Sequence, residues 1–247
     1  MEDILNSKEI ILMRKIGKFA RTFLQKLKKI IKSGMTTKDI EEEFDCFLNK
    51  INLKSAFRGY NGYPASLCVS VNEEIIHGIP REDKVIKDGS LVSVDLGIEK
   101  DGLFVDCAYT YLVGKVSSLG RKLFRVGTAA LREGIKQARV GNTTGDIGFA
   151  IQRVVEDSGF SVIRRFVGHG IGHKLHCYPE VPNFGTPKSG AILKEGMVLA
   201  IEPMISSGNY EVDILEDGWT ARTKDKSLSC HFEHTVVITK KGPYIVA

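Results

Sequence analysis

"KDGSLVSVDL", residues 87–96, returns 107 positions later as "KEGMVLAIEP", residues 194–203. A second pair of segments keeps that offset: "SGMTTKDI" begins at Ser33 and "VGNTTGDI" at Val140. Two separate blocks in one register mean that the chain is written twice. Leu12, Ile16 and Phe19 fall in the same register on Leu119, Leu123 and Val126. Each half reads helix, Thr-Thr turn, helix, then strands, roughly over 10–113 and 117–240. The Thr-Thr-x-Asp segments have the form of helix starts, with threonine as cap and an acid in the first turn. No linker rich in Pro, Gly or Ser divides the halves. The expected fold is α+β. It is one domain over 1–247, made of two pseudo-two-fold-related halves whose antiparallel sheet is covered by helices, with a cleft at the joint.

The repeat also places acids. Asp95 falls on Glu202, so both copies keep a carboxylate at one strand position. Residues 91–98 and 103–113 form a hairpin pattern around Asp101-Gly102. A four-residue loop, Glu99 to Gly102, pairs Ile98 with Leu103 and sets Asp95 opposite Asp106. Directly opposed residues have Cβ atoms ~5 Å apart. Two carboxylates at that distance repel by roughly 3 kcal/mol at an effective dielectric of about 20. The counterpart of Asp106 in the second half is Glu233, in "CHFEHTVVIT" (230–239). Four carboxylates then meet at the joint. Two divalent cations balance them; protonation, a register slip or salt bridges to Arg and Lys are the alternatives.

All six histidines follow residue 76, and three lie in "GHGIGHKLHC" (168–177): His169, His173 and His176. The glycines oppose a helix there. In an extended stretch His169 and His173 share a face, and His176 lies opposite unless a turn intervenes. His77 stands in "VNEEIIHGIP" (71–80), ahead of the first acidic strands. One imidazole among several carboxylates makes an oxygen-dominated site that suits Mn, Fe(II), Co or Zn. Two such ions generate a hydroxide near neutral pH and clamp a carbonyl oxygen, which is the chemistry of a hydrolase. The residues alone name no substrate.

The chain has 247 residues, 43% hydrophobic and 26% charged, which is ordinary globular composition. No apolar run approaches the ~20 residues that span a bilayer. The first ten residues lack a signal peptide's basic start and apolar core, so the expected compartment is the cytoplasm. Five cysteines without a CxxC spacing read as free thiols. The net charge of +5 is concentrated in 10–32, where Arg14, Lys15, Lys18, Arg21, Lys26, Lys28, Lys29 and Lys32 stand without an acid. Leu12, Ile16, Phe19, Phe23, Leu27 and Ile30 give that stretch an apolar stripe and hence a helix with a basic outer face. Such a face is solvated or meets a polyanion such as ribosomal RNA.

At "NGYPASLCVSVNEEIIHGIP", "VSVDLG", "DGLFVDCAYTYLVG", "FVGHGIGHKLH", "LAIEPM" and "DGWTARTKDKSLSCHFEHTVVIT" the sequence resembles the type I methionine aminopeptidases, over nearly its whole length. The resemblance implies the pita-bread fold and metal-dependent removal of the N-terminal methionine from nascent proteins and peptides. A metal-activated hydroxide would attack the first peptide bond, with a small second residue preferred. It implies five metal ligands, Asp95, Asp106, His169, Glu202 and Glu233, holding two divalent ions, with Asp106 and Glu233 bridging. It gives His77 a contact to the scissile amide, His176 the carbonyl oxygen, and Glu202 the transfer of a proton to the departing amine. Tyr60, Tyr63, Cys68, Leu175 and Trp219 fall at substrate-pocket positions. Leu175 stands where an aromatic is common and Asn61 where a histidine is frequent. His173 replaces a basic residue, and Cys177 and Tyr178 stand where acids are often found. Short connections favour type I over type II, whose catalytic half carries an insertion. Relatives acting on X-Pro or on dipeptides usually carry a large extra N-terminal domain, so with the first half starting near residue 10 that activity is the less expected one. A partner-binding pseudo-enzyme would have lost ligands, and all five are present. The implied partners are nascent chain N-termini and, through helix 10–32, the ribosome. No membrane or sequence-specific nucleic acid is expected, and the default state is a monomer.

Overall fold

The computed structural model describes residues 3–247. Helix α1 (Ser7–Ile30) opens on a capping box between Asn6 and Glu9. Its buried stripe is Met13, Ile16, Ala20, Phe23 and Leu27. Phe19, expected inside, is 36% exposed. It lies at the margin of the stripe, and Ala20 takes the inward position one residue on. Helices α2 (Thr37–Ile51) and α4 (Thr144–Glu156) begin as the repeat implies. Thr36 pairs with Asp39, and Thr143 with Asp146, in equivalent capping boxes. Helix α3 (Ser118–Gln137) is the second copy of α1 in chain order. Among the described residues no helix is long and apolar enough to cross a membrane.

The strands of the first half are β1 (Lys54–Ser55), β2 (Cys68–Val71), β3 (Glu74–Ile76), β4 (Leu91–Lys100) and β5 (Leu103–Leu112). Those after α4 are β6 (Ser161–Val162), β7 (Gly168–Gly170), β8 (Cys177–Val181), β9 (Val198–Ile201) and β10 (Met204–Ser206). They continue with β11 (Val212–Ile214), β12 (Ala221–Thr223), β13 (Ser229–His231), β14 (His234–Thr239) and β15 (Gly242–Ile245). Every pairing is antiparallel. The expected single sheet is divided. One four-stranded sheet holds β4 with β1, β2 and β5; a five-stranded sheet runs β15-β14-β9-β7-β8; two three-stranded sheets complete the wall. One of the small sheets pairs β12 with β3, so the long connection of the second half returns to the first. α1 and α2 pack with β4 and β5 in one apolar core, and α3 and α4 pack in the other.

The hairpin differs from its expected register. Lys100 pairs with Leu103, Gly97 with Asp106, and Asp95 with Ala108. The loop is only Asp101-Gly102, with φ of 53° and 76°. Asp-Gly supports positive φ at both positions, so it closes the two-residue turn that matches strand twist. The slip is two residues, which preserves the face. Asp95 and Asp106 are therefore diagonal neighbours rather than directly opposed. The position opposite Asp106 is Gly97, where a Cβ would lie 2.6 Å from Phe57 Cε1. The absent side chain leaves room for that ring.

The seam between the halves has its own chemistry. β5 runs antiparallel to residues 231–235, linked by two threonine hydroxyls and one backbone bond. Thr235 Oγ1 accepts from Asp106 N (2.9 Å) and donates to Asp106 O (2.6 Å). Thr110 Oγ1 accepts from His231 N (3.0 Å) and donates to His231 O (2.8 Å). Between them Glu233 N donates to Ala108 O at 2.9 Å. Side chains thus satisfy backbone groups where a sheet ladder is missing.

Candidate active site

Five side chains named by the sequence converge at this seam. Asp95 lies on β4, Asp106 on β5 and His169 on β7; Glu202 directly follows β9, and Glu233 occupies the break between β13 and β14. All five are buried, from 2% exposure at Glu233 to 7% at Asp95 and His169. Ligand atoms of Asp106, His169 and Glu233 all lie within 4.8 Å of one another. His169 Nε2 is 3.5 Å from Glu202 Oε1. The carboxyls of Asp95 and Asp106 lie close enough to act on each other.

Burial is the first cause that pushes all four acids up, and their mutual repulsion adds to it for Asp95, Asp106 and Glu233. Asp95 rises from 3.8 to about 7. No lysine or arginine among the described residues forms an ion pair with any of them. Asp95 Oδ1, Asp106 Oδ1 and Glu233 Oε1 are buried with no hydrogen-bond partner. Unpartnered acidic oxygens beside an imidazole are a donor set for hard or borderline divalent ions, so the residues present fit the implied metals. His169 Nδ1–H donates to Gly170 O at 2.9 Å, which leaves the Nε2 lone pair facing the cluster. A Cβ at Gly170 would come within 2.4 Å of Tyr178 O, so glycine is what allows this tight return of the chain.

The acids' raised values carry a prediction for the chelated protein. A carboxyl whose folded value exceeds its unfolded one stabilises the fold fully below the unfolded value and loses that contribution as pH rises through the folded value. For Asp95 the window runs from 3.8 to about 7. In EDTA the melting temperature of Asp95→Asn therefore gains on that of the wild type across that window, because the buried histidines that titrate there act on both proteins alike. Melting curves of the two proteins at a series of pH values check this; a difference that stays flat from pH 4 to 7 contradicts it.

His173 and His176 part company in a way the parity argument missed. β7 is only three residues long, and the chain turns after it. His176 comes back over His169, with ring centroids 4.1 Å apart. Its Nδ1 lies 2.8 Å from Tyr60 Oη. His173 points away, is half exposed, and sits between Asp3 Oδ1 (2.9 Å) and Glu9 Oε1 (3.2 Å). His77 is nearly enclosed, edge-on to Phe166 at 5.5 Å and to Trp219 at 6.3 Å. Its φ of 59° is a left-handed conformation that costs energy in a non-glycine residue. Burial lowers both, His77 to about 4, so the His77 imidazole is neutral at physiological pH.

The acids line a cavity of about 430 Å³. Tyr60, Tyr63, Cys68, Leu175 and Trp219 line it with His77 and His176. Tyr63 stands edge-on to Trp219 at 5.1 Å. Cys68 pairs with Asp95 in the β2–β4 register, which sets the thiol beside the acids. Burial pushes that thiol up, so it remains protonated. The sequence reading missed Phe57, Ile76 and Phe166 in the wall, since none bears a chemical signature. It also missed His231 and Asn183, whose Nδ2 donates to Glu202 O at 3.0 Å.

A buried acid-and-imidazole cluster at the seam of a duplicated antiparallel fold defines a metal-dependent hydrolase. The family model described as "Metallopeptidase family M24" matches residues 11–240. A Clostridium perfringens protein named "Methionine aminopeptidase" is 47% identical over 241 residues, 98% of this chain and 96% of that protein. The crystal structure of a methionine aminopeptidase from Thermotoga maritima superposes with a TM-score of 0.98 at 46% identity, covering 100% and 99% of the two chains. A prolidase from Pyrococcus horikoshii, at 22% identity and a TM-score of 0.76 over 98% of this chain and 62% of its own, shares the fold alone. This chain belongs to metallopeptidase family M24 and has its pita-bread fold. Within that family its full-length likeness is to type I methionine aminopeptidases, so it is a hydrolase of the metallo-aminopeptidase kind.

Proposed function

We propose that this chain removes the N-terminal methionine from nascent proteins and peptides whose second residue is small. The observation that carries the reading is one cavity lined both by aromatic and thiol side chains and by the five ligand-type side chains. A thioether suits such a slot, because sulfur packs well against ring edges and a soft thiol. Residues 1–247 act as one catalytic unit built on the two copies.

Asp95, Asp106, His169, Glu202 and Glu233 would hold two divalent ions, Asp106 and Glu233 being the pair common to both. Mn, Fe(II), Co and Zn all suit one imidazole among oxygens. Such ions, when bound, supply a nucleophile at neutral pH and a Lewis acid for the carbonyl. The protein's own groups do the rest. Tyr60 O–H donates to His176 Nδ1, which leaves Nε2–H to donate to the scissile carbonyl oxygen as it gains charge. His77 contacts the scissile amide. Glu202 accepts a proton and delivers it to the leaving amine.

The test is hydrolysis of Met-Ala-Ser and Leu-Ala-Ser after chelation, with Mn, Fe(II), Co and Zn restored one at a time. Ion-dependent cleavage of Met-Ala-Ser well above Leu-Ala-Ser is expected; cleavage that survives EDTA ends the reading. The chain acts as a cytoplasmic monomer. Lys28 and Lys29, exposed on α1, contribute a ribosome contact. Lys28→Glu with Lys29→Glu should weaken cosedimentation with ribosomes in a salt-dependent way; unchanged binding removes that contact.

A further inference from the structure

We propose that His231 is a positioning residue that holds the Glu202 carboxylate from the side opposite His169. The inference rests on the aminopeptidase reading for the work Glu202 does, but not for the contact itself. His231 is 1% exposed on β13. Both its ring nitrogens are buried without a hydrogen-bond partner. Nearly all buried polar groups in folded proteins are satisfied, so two idle nitrogens on one ring point to a partner that completes the site. Its Nε2 lies 3.5 Å from Glu202 Oε2, while His169 Nε2 lies 3.5 Å from Glu202 Oε1. One imidazole therefore faces each carboxylate oxygen.

The rest of the neighbourhood fixes everything except that carboxylate. Thr110 brackets the His231 backbone from both sides. Asn183 holds the Glu202 carbonyl. His231 is not among the residues that line the cavity, so it acts on the acids from outside it, with Asp95 as well as Glu202 within its electrostatic reach. Closing 3.5 Å to hydrogen-bond length needs a shift of roughly half an ångström. A carboxylate that must present one oxygen inward and carry a proton on demand needs its rotation fixed, and outer partners commonly do this for metal-site ligands. An Nε2–H donor on Oε2 leaves Oε1 turned towards His169 and the site.

The experiment compares His231→Gln, His231→Asn and His231→Ala with the wild type. A glutamine amide reaches the place of Nε2, whereas an asparagine amide reaches only that of Nδ1. Three quantities are read: kcat and KM on Met-Ala-Ser at saturating Mn, the stoichiometry of Mn by titration calorimetry, and the visible spectrum of the Co(II)-loaded protein. His231→Asn should lower kcat about 10- to 100-fold with KM within about threefold, and alter the Co(II) bands. His231→Gln should recover most of both, and all variants should bind as many ions as the wild type. Equal behaviour of the Asn and Gln variants overturns the proposal, as does wild-type behaviour of His231→Ala. Loss of an ion equivalent in both polar variants overturns it too, since His231 would then be a ligand. Should the wild type fail to cleave Met-Ala-Ser, the functional reading fails, while the spectrum and stoichiometry still decide the role of His231.

Discussion

Asp106→Asn abolishes hydrolysis of Met-Ala-Ser with every metal added, while far-ultraviolet circular dichroism stays unchanged. Asp106 lies where both halves meet, with its ligand atom within 4.8 Å of those of His169 and Glu233 and its carboxyl beside that of Asp95. In the proposed assignment it is one of two acids, with Glu233, that both ions draw on. The substitution is nearly isosteric. The backbone at 106 is held by the Thr235 hydroxyl, so the strand does not depend on the carboxylate. In the chelated protein, removing one of four mutually repelling acids is neutral or stabilising. The signature is thus split: the melting temperature in EDTA is held or raised, and the increase produced by a divalent ion disappears. Activity above background at any metal concentration would overturn the placement of Asp106 as a shared ligand.

His176→Ala is the second large effect, and its pattern differs. His176 faces His169 but is not within the ligand cluster itself. Its Nδ1 lies 2.8 Å from Tyr60 Oη; with the phenol donating, as proposed, what the imidazole offers the cavity is one oriented N–H. Donors aimed at charge that develops in a transition state are worth about 10²–10³ in kcat. The expected result is a loss of that size in kcat, with KM changed little and ion binding intact by calorimetry. A loss of ion stoichiometry would instead place the imidazole among the ligands.

The legible part of this fold lies where the two copies kept their register. The threonine caps at 36 and 143 and the carboxylate at 95 and 202 follow from one offset, because a strand position that meets its symmetry mate at a seam has the same surroundings twice. Glu233 is harder, because the segment before it is longer than its counterpart in the first half. The Asp95–Asp106 register was misplaced because loop length was assumed, although Asp101-Gly102 holds the information for a tighter turn. The parting of His173 from His176 depends on β7 ending after Gly170, which no alternation of residues announces. His231 was invisible for a plainer reason. A single histidine at the end of a short strand looks the same whether its ring faces solvent, core or acid, and only the position of Glu202 distinguishes them.

The threonine brackets at 110 and 235 have a consequence for how the molecule opens. They tie the copies by side chains, and the acid cluster draws on both: two acids come from the first copy, two acids and an imidazole from the second. Whatever neutralises the cluster therefore works as a rivet. Loading it should slow amide exchange of Asp106, His231 and Glu233 together, before any change at the outer helices, because those amides are released only when the copies come apart.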